Sequence, residues 1–85
     1  MSSSAPSVDP RATEVACTDD ELSVVLSDGR RIVVPLAWFP RLLHASAQER
    51  ANFELIGDGF GIHWPDIDED LSIEGLLRGA KAPGA

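Results

Sequence analysis

Cysteine occurs once in this chain, at Cys17, so no intramolecular disulfide can form. Histidine occurs twice, so a zinc site would have to be built mainly from carboxylates. No apolar run is long enough to span a membrane. The N-terminus lacks the charged segment followed by an apolar stretch that marks a secretory signal. Basic residues are few, 7 against 14 acidic ones, for a formal net charge of −7. That balance opposes non-specific binding to nucleic-acid phosphates or anionic lipid, and it favours basic partners. The usual signatures of chemistry are missing as well. There is no G-x-S-x-G, no Walker A loop and no Cys–His pair at a known spacing. Nor do aromatic and basic residues interleave as in proteins that stack single strands. From these absences the expectation is a cytoplasmic protein that is not an enzyme, holds no cofactor and binds neither nucleic acid nor membrane directly.

What is there is an acidic chain of 85 residues with an ordinary hydrophobic share of 44%. Residues 1–11 are rich in Ser, Ala and Pro without periodicity and are expected to be disordered. Residues 12–78 read as a single α+β domain and residues 79–85 as a flexible tail. A core this small is marginal alone and leans on a partner or on a second copy of the chain.

Ala12 to Thr18 alternates weakly, with Val15 and Cys17 on one face, and reads as an edge strand. Cys17 there suits a small buried hydrophobe better than a reactive thiol. Thr18, Asp19 and Asp20 form a turn. Leu22, Val24 and Leu26 then alternate with polar or smaller residues in a half-buried strand. A three-residue loop, Ser27 to Gly29, pairs Val24 with Ile32 and puts Ile32, Val34 and Leu36 on the apolar face. A two-residue loop would bury Arg31 instead, so burial selects the first register and requires Gly29 in the left-handed region. Pro35 ends the pairing. Pro40 suits the first turn of a short helix, with Trp38, Phe39, Leu42 and Leu43 mostly in the core. Arg41 and His44 share one side of that turn.

Ser46 and Glu49 form a capping box, and a helix is expected from Ala47 to about Leu55, with Ala47, Ala51 and Leu55 as its stripe. Gly57-Asp58-Gly59 stops it. Phe60, Ile62 and Trp64 alternate with Gly61 and His63 in a fourth strand with one apolar face. The expected architecture is thus a small antiparallel sheet, a three-stranded meander plus a fourth strand, with two or three short helices. The glycines at 57, 59 and 61 follow a helix and precede a strand, the reverse of a phosphate loop.

Asp66, Asp68, Glu69 and Asp70 lie within five residues. As a calcium loop they fail at the diagnostic places, where Leu71 stands for the glycine and Leu77 for the closing glutamate. As paired general acids and bases they lack a cleft. They fit best as an acidic lead-in to a last helix, Ile73 to Leu77, capped by Ser72, with Ile67, Leu71, Ile73, Leu76 and Leu77 buried. His63 points outward from the apolar face and has no second ligand spaced to join it.

Several of these pieces recur together: Leu22 to Gly29, Pro35-Leu36, Phe39 to Leu42, Ala45-Ser46, Glu49-Arg50, Gly57 to Gly59, and Ile62 to Ile73 with its Trp64 and Asp68-Glu69-Asp70. In order and spacing they resemble a small bacterial family known as domain of unknown function 2442, over roughly Val15 to Leu77. The resemblance implies a small antiparallel sheet with short helices. It also implies a neighbouring gene for another small domain, the two forming a toxin–antitoxin-like pair. Longer relatives carry a helix-turn-helix after this domain, whereas this sequence ends eight residues after Leu77. The family brings no catalytic residues.

Three functions follow as expectations. The first is a protein-interaction module, the antitoxin-like half of a gene pair, that binds a small basic protein through Asp66, Asp68, Glu69, Asp70, Arg41 and His63. The second is a regulatory or ligand-sensing domain without a helix-turn-helix. The third is a metal or enzyme site on the acidic stretch, which has the fewest residues behind it.

Overall fold

A computed structural model of the protein describes residues 10–82. The expectations for residues 1–9 and 83–85 lie outside the described residues. The fold is α+β, with two antiparallel three-stranded sheets and three short helices among the described residues. The first sheet is a meander of β1 (Ala12–Cys17), β2 (Glu21–Leu26) and β3 (Arg31–Pro35), in that order. A 3-10 turn, Leu36–Trp38, leads into α1 (Pro40–Leu43) and α2 (Ala47–Ala51). The second sheet is β4 (Glu54–Ile56), β5 (Gly61–Trp64) and β6 (Glu69–Ser72), and α3 (Ile73–Leu77) follows directly.

The first hairpin has the register that burial demands. Val24 faces Ile32, Leu26 N–H donates to Arg30 O at 2.8 Å, and Gly29 N–H donates to Leu26 O at 3.0 Å. Gly29 stands at φ 94°, the left-handed conformation of a G1 bulge. Leu22, Val24, Leu26 and Val34 are buried, Ile32 is half-buried, and Val33 on the other face is 49% exposed. Pro35 is the last residue of β3, and Leu36 N–H makes one further bond to Asp20 O. Pro40 opens α1, where its missing N–H costs nothing. The capping box closes both ways: Ser46 Oγ accepts from Glu49 N–H, and Glu49 Oε1 accepts from Ser46 N–H.

The second helix is shorter than its apolar pattern suggests. It ends at Ala51, and Glu54–Ile56 form a strand, so Leu55 is not part of a helical stripe. Ala47 and Ala51 are exposed and α2 buries no residue. Arg50 docks it instead, because its guanidinium folds back onto α1. Nε donates to Leu42 O at 2.8 Å, and Nη2 donates to Leu43 O at 2.8 Å.

The strand read from Phe60 to Trp64 begins at Gly61 and is the centre of the second sheet. Phe60 has helical dihedrals at the end of a 3-10 turn and is 39% exposed, so it does not share the face of Ile62 and Trp64. Glu69 and Asp70, read as a helix lead-in, belong to β6, where pairing with β5 overrides their poor strand propensity. The acid in the first turn of α3 is Glu74. Ser72 does cap α3, accepting from Gly75 N–H at 2.9 Å. Ile73 and Leu76 are buried and Ile67 and Leu71 partly so, but Leu77 is 41% exposed.

One apolar cluster joins the layers. The first sheet gives Ala12, Leu22, Val24, Leu26 and Val34, and the second gives Ile62 and Trp64. Leu36, Phe39, Leu42, Ile73 and Leu76 come from the helical segments. The C-terminal segment lies along this body: Ala82 N–H donates to Trp38 O at 3.0 Å, and Lys81 Nζ sits 5.0 Å from the Trp38 ring centre.

Candidate functional site

The candidate site is the hairpin of β5 and β6 with the elements that flank it. Trp64 and Glu69 face each other across the ladder, which leaves Pro65 to Asp68 as its loop. Asp68 takes the left-handed region at φ 52°, which a short polar side chain tolerates better than most. Arg41 holds that corner from α1, its Nη1 donating to Asp68 O at 2.6 Å. Asn52, between α2 and β4, donates through Nδ2 to Asp66 Oδ2 at 2.9 Å.

Strand alternation separates the four carboxylates. Glu69 shares the face of Trp64 and is half-buried. Asp70 lies on the opposite face, across from His63, while Asp66 and Asp68 are exposed in the loop. His63 is flanked on its own face by one acid on each side, Glu54 of β4 and Asp70 of β6. Its Nδ1 lies 2.5 Å from Asp70 Oδ1. The hydrogen bond to Asp70 lifts the imidazole above its ordinary pKa against a smaller opposing effect of desolvation, and the charges of Asp70, Glu54 and Asp68 add to the lift. The acidic ring thus shifts the balance of His63 toward the imidazolium.

Of the residues read from the sequence, Asp68, Asp70 and His63 come together, and Arg41 joins them through the Asp68 carbonyl. Asp66 is tied to Asn52, and Glu69 turns to the other face. His44, just past the end of α1, is exposed, while Arg41 is engaged with the hairpin rather than with it. Glu54 was hidden by its placement in a helix. Arg50 and Asn52 were missed because nothing local marks them; they act on segments brought near only by folding.

Among the described residues no group of three His, Cys, Asp or Glu side chains is placed to hold a metal ion. Cys17 lies far along the first sheet beside Arg50, and burial pushes its thiol up, with the Arg50 charge partly opposing. That is the direction of a less reactive sulfur. No helix among the described residues is long and apolar enough to cross a membrane.

Residues 12–82 match the family described as "Protein of unknown function (DUF2442)", and the chain belongs to that family. A crystal structure of a protein of unknown function from Rhodospirillum rubrum is similar at 29% identity, with a TM-score of 0.77, over 91% of this chain and 95% of that one. The solution structure of an uncharacterised protein from Chromobacterium violaceum shares the fold at 18% identity, with a TM-score of 0.72, over 87% of this chain and 70% of that one. No curated protein matches the sequence.

Proposed function

We propose that this member of the DUF2442 family is a non-enzymatic interaction module that binds a small basic protein at the β5–β6 hairpin. The observation that carries this reading is the solvent-facing arrangement of Glu54, Asp68 and Asp70 around a single imidazole, with Asp66 exposed in the same hairpin loop. Carboxylates this close repel one another, and a cationic surface relieves the repulsion. Complementary charge of this kind speeds encounter and selects the partner more than it deepens affinity. A domain with a small core also gains stability by mass action from whatever binds its folded state. The partner is the product of a neighbouring gene, this chain takes the antitoxin-like half of the pair, and both act in the cytoplasm.

Co-expression with the neighbouring gene product tests this directly. A complex should survive gel filtration at moderate salt, and its association rate should fall as salt rises. Replacing Glu54, Asp66 and Asp68 with their amides should slow association and flatten the salt dependence. A folded triple variant that binds as fast as the parent would remove the hairpin from the interface, and no complex at all would remove the proposal.

A further inference from the structure

Among the described residues four strands lie at sheet edges: β1, β3, β4 and β6. Three of them carry features that discourage pairing with another chain. β1 shifts register between Ala12 and Glu14, β3 opens on Arg31 and ends on Pro35, and β6 carries Glu69 and Asp70. β4 has no bulge and no proline, and all three of its residues are exposed. Leu55 is 40% and Ile56 41% exposed.

The backbone of β4 can be oriented from its neighbour. Phe60 O accepts from Ile73 N–H at 2.9 Å, on the β6 side of the sheet. The Phe60–Gly61 peptide is planar and trans, so Gly61 N–H points the other way, toward β4. Gly61 faces Ile56, and His63, two residues on, faces Glu54. Those are the pairs that exchange backbone bonds across an antiparallel ladder. Leu55 lies between them, so its N–H and C=O point away from β5, to the open side. No hydrogen bond reaches Leu55 from outside the sheet among the described residues.

We propose that β4 pairs with β4 of a second copy of this chain, antiparallel about a two-fold axis at Leu55, so that two three-stranded sheets become one continuous sheet. Leu55 then exchanges both backbone bonds with the partner's Leu55, and the two side chains meet on one face. Glu54 falls opposite the partner's Ile56, so no acid meets an acid. Other axes are worse. Centring on Glu54 sets the two glutamates against each other, and centring on Ile56 sets Glu54 against the partner's Asp58. Self-complementarity about one residue is what a two-fold interface requires.

Sedimentation velocity on the full chain over rising concentration tests this. The mass should climb from monomer to dimer, and more readily at high salt, because two bodies of charge −7 repel and salt screens them. That is the opposite salt response to the basic partner, so the two proposals fail separately. Leu55→Pro removes only an outward N–H, which an edge strand tolerates, and Leu55→Lys sets two charges face to face. Both variants should stay monomeric with the parent's circular dichroism. Amide exchange on the unmodified chain gives a second measurement: Leu55 should slow about tenfold or more as the dimer forms, while Glu54 and Ile56, already bonded inward, change little. A monomer at every concentration, a dimer that survives both substitutions, or an edge that takes only a strand of another protein would each overturn the proposal.

Discussion

The Trp64 indole N–H donates to the carbonyl of Arg50 at 3.0 Å, while the Arg50 guanidinium caps the last carbonyls of α1 at Leu42 and Leu43. One residue of α2 therefore ties the centre of the second sheet to the preceding helix. Trp64 is fully buried and packs obliquely on Phe53, with ring centres 6.5 Å apart. The hairpin that presents the acidic side chains is positioned through this pair.

Trp64→Ala removes the largest buried side chain and should cost about 3–5 kcal/mol, enough to unfold a domain of this size. Trp64→Phe keeps most of the volume but orphans the Arg50 carbonyl, at a smaller cost of about 1–3 kcal/mol. Urea denaturation orders the two variants. An unchanged midpoint for Trp64→Ala would deny it a core role.

Arg50→Ala should destabilise by about 1–3 kcal/mol, because the Leu42 and Leu43 carbonyls lose their shared donor in a partly buried setting. The contact with Asp19 adds little, since that carboxylate is 95% exposed. Arg50→Lys should recover only part of the loss, as an ammonium lacks the fork that reaches both carbonyls. Full recovery by lysine would show that charge, not geometry, docks α2.

Gly59 and Gly29 both stand at φ 94°, yet alanine should be tolerated very differently at the two positions. At Gly29 a Cβ meets open space, leaving only the left-handed penalty of about 1–2 kcal/mol. At Gly59 it would lie 2.9 Å from the Ala12 carbonyl oxygen and 3.1 Å from Arg11 Cβ, backbone and stem that cannot swing aside. Gly59→Ala should therefore show the lower melting temperature of the two, with early loss of amide protection in β1.

The imidazole of His63 should titrate above 6.5, its ordinary value, and Asp70→Asn should bring it down. A group whose pKa is raised by folding stabilises the native state in its protonated form. That contribution is complete below pH 6.5 and is lost as pH climbs through the raised value. The melting temperature of the parent relative to His63→Gln should accordingly fall across that rise. Proton NMR of the ring gives the titration directly, and a curve unmoved by Asp70→Asn would break the assignment of Asp70 as its partner.

Local chemistry in the sequence was enough to place several elements. Alternation in Leu22, Val24 and Leu26, the cost of burying Arg31, and a glycine free to adopt positive φ together specify the first hairpin and its register. Ser46 with Glu49, Pro40, and Ser72 each mark a helix start through bonds or dihedrals only a few residues apart. The outward direction of His63 follows from the two-residue period of its strand. Other features depended on segments meeting in space. Leu55 and Ile56 continue a helical pattern, and only an available partner in β5 makes them a strand. Glu69 and Asp70 have little strand preference of their own, and the ladder with His63 and Trp64 imposes it. Arg50 reads as an ordinary surface arginine until α1 offers the carbonyls of Leu42 and Leu43. The acidic stretch looks uniform along the chain, but sheet pairing turns Glu69 toward one face and sets Asp70 and Glu54 beside His63 on the other. The sequence determined which residues could be charged, buried or capped. Tertiary pairing decided which of those charges share a surface, because the distances between them are set by hydrogen-bonded strands and not by spacing along the chain.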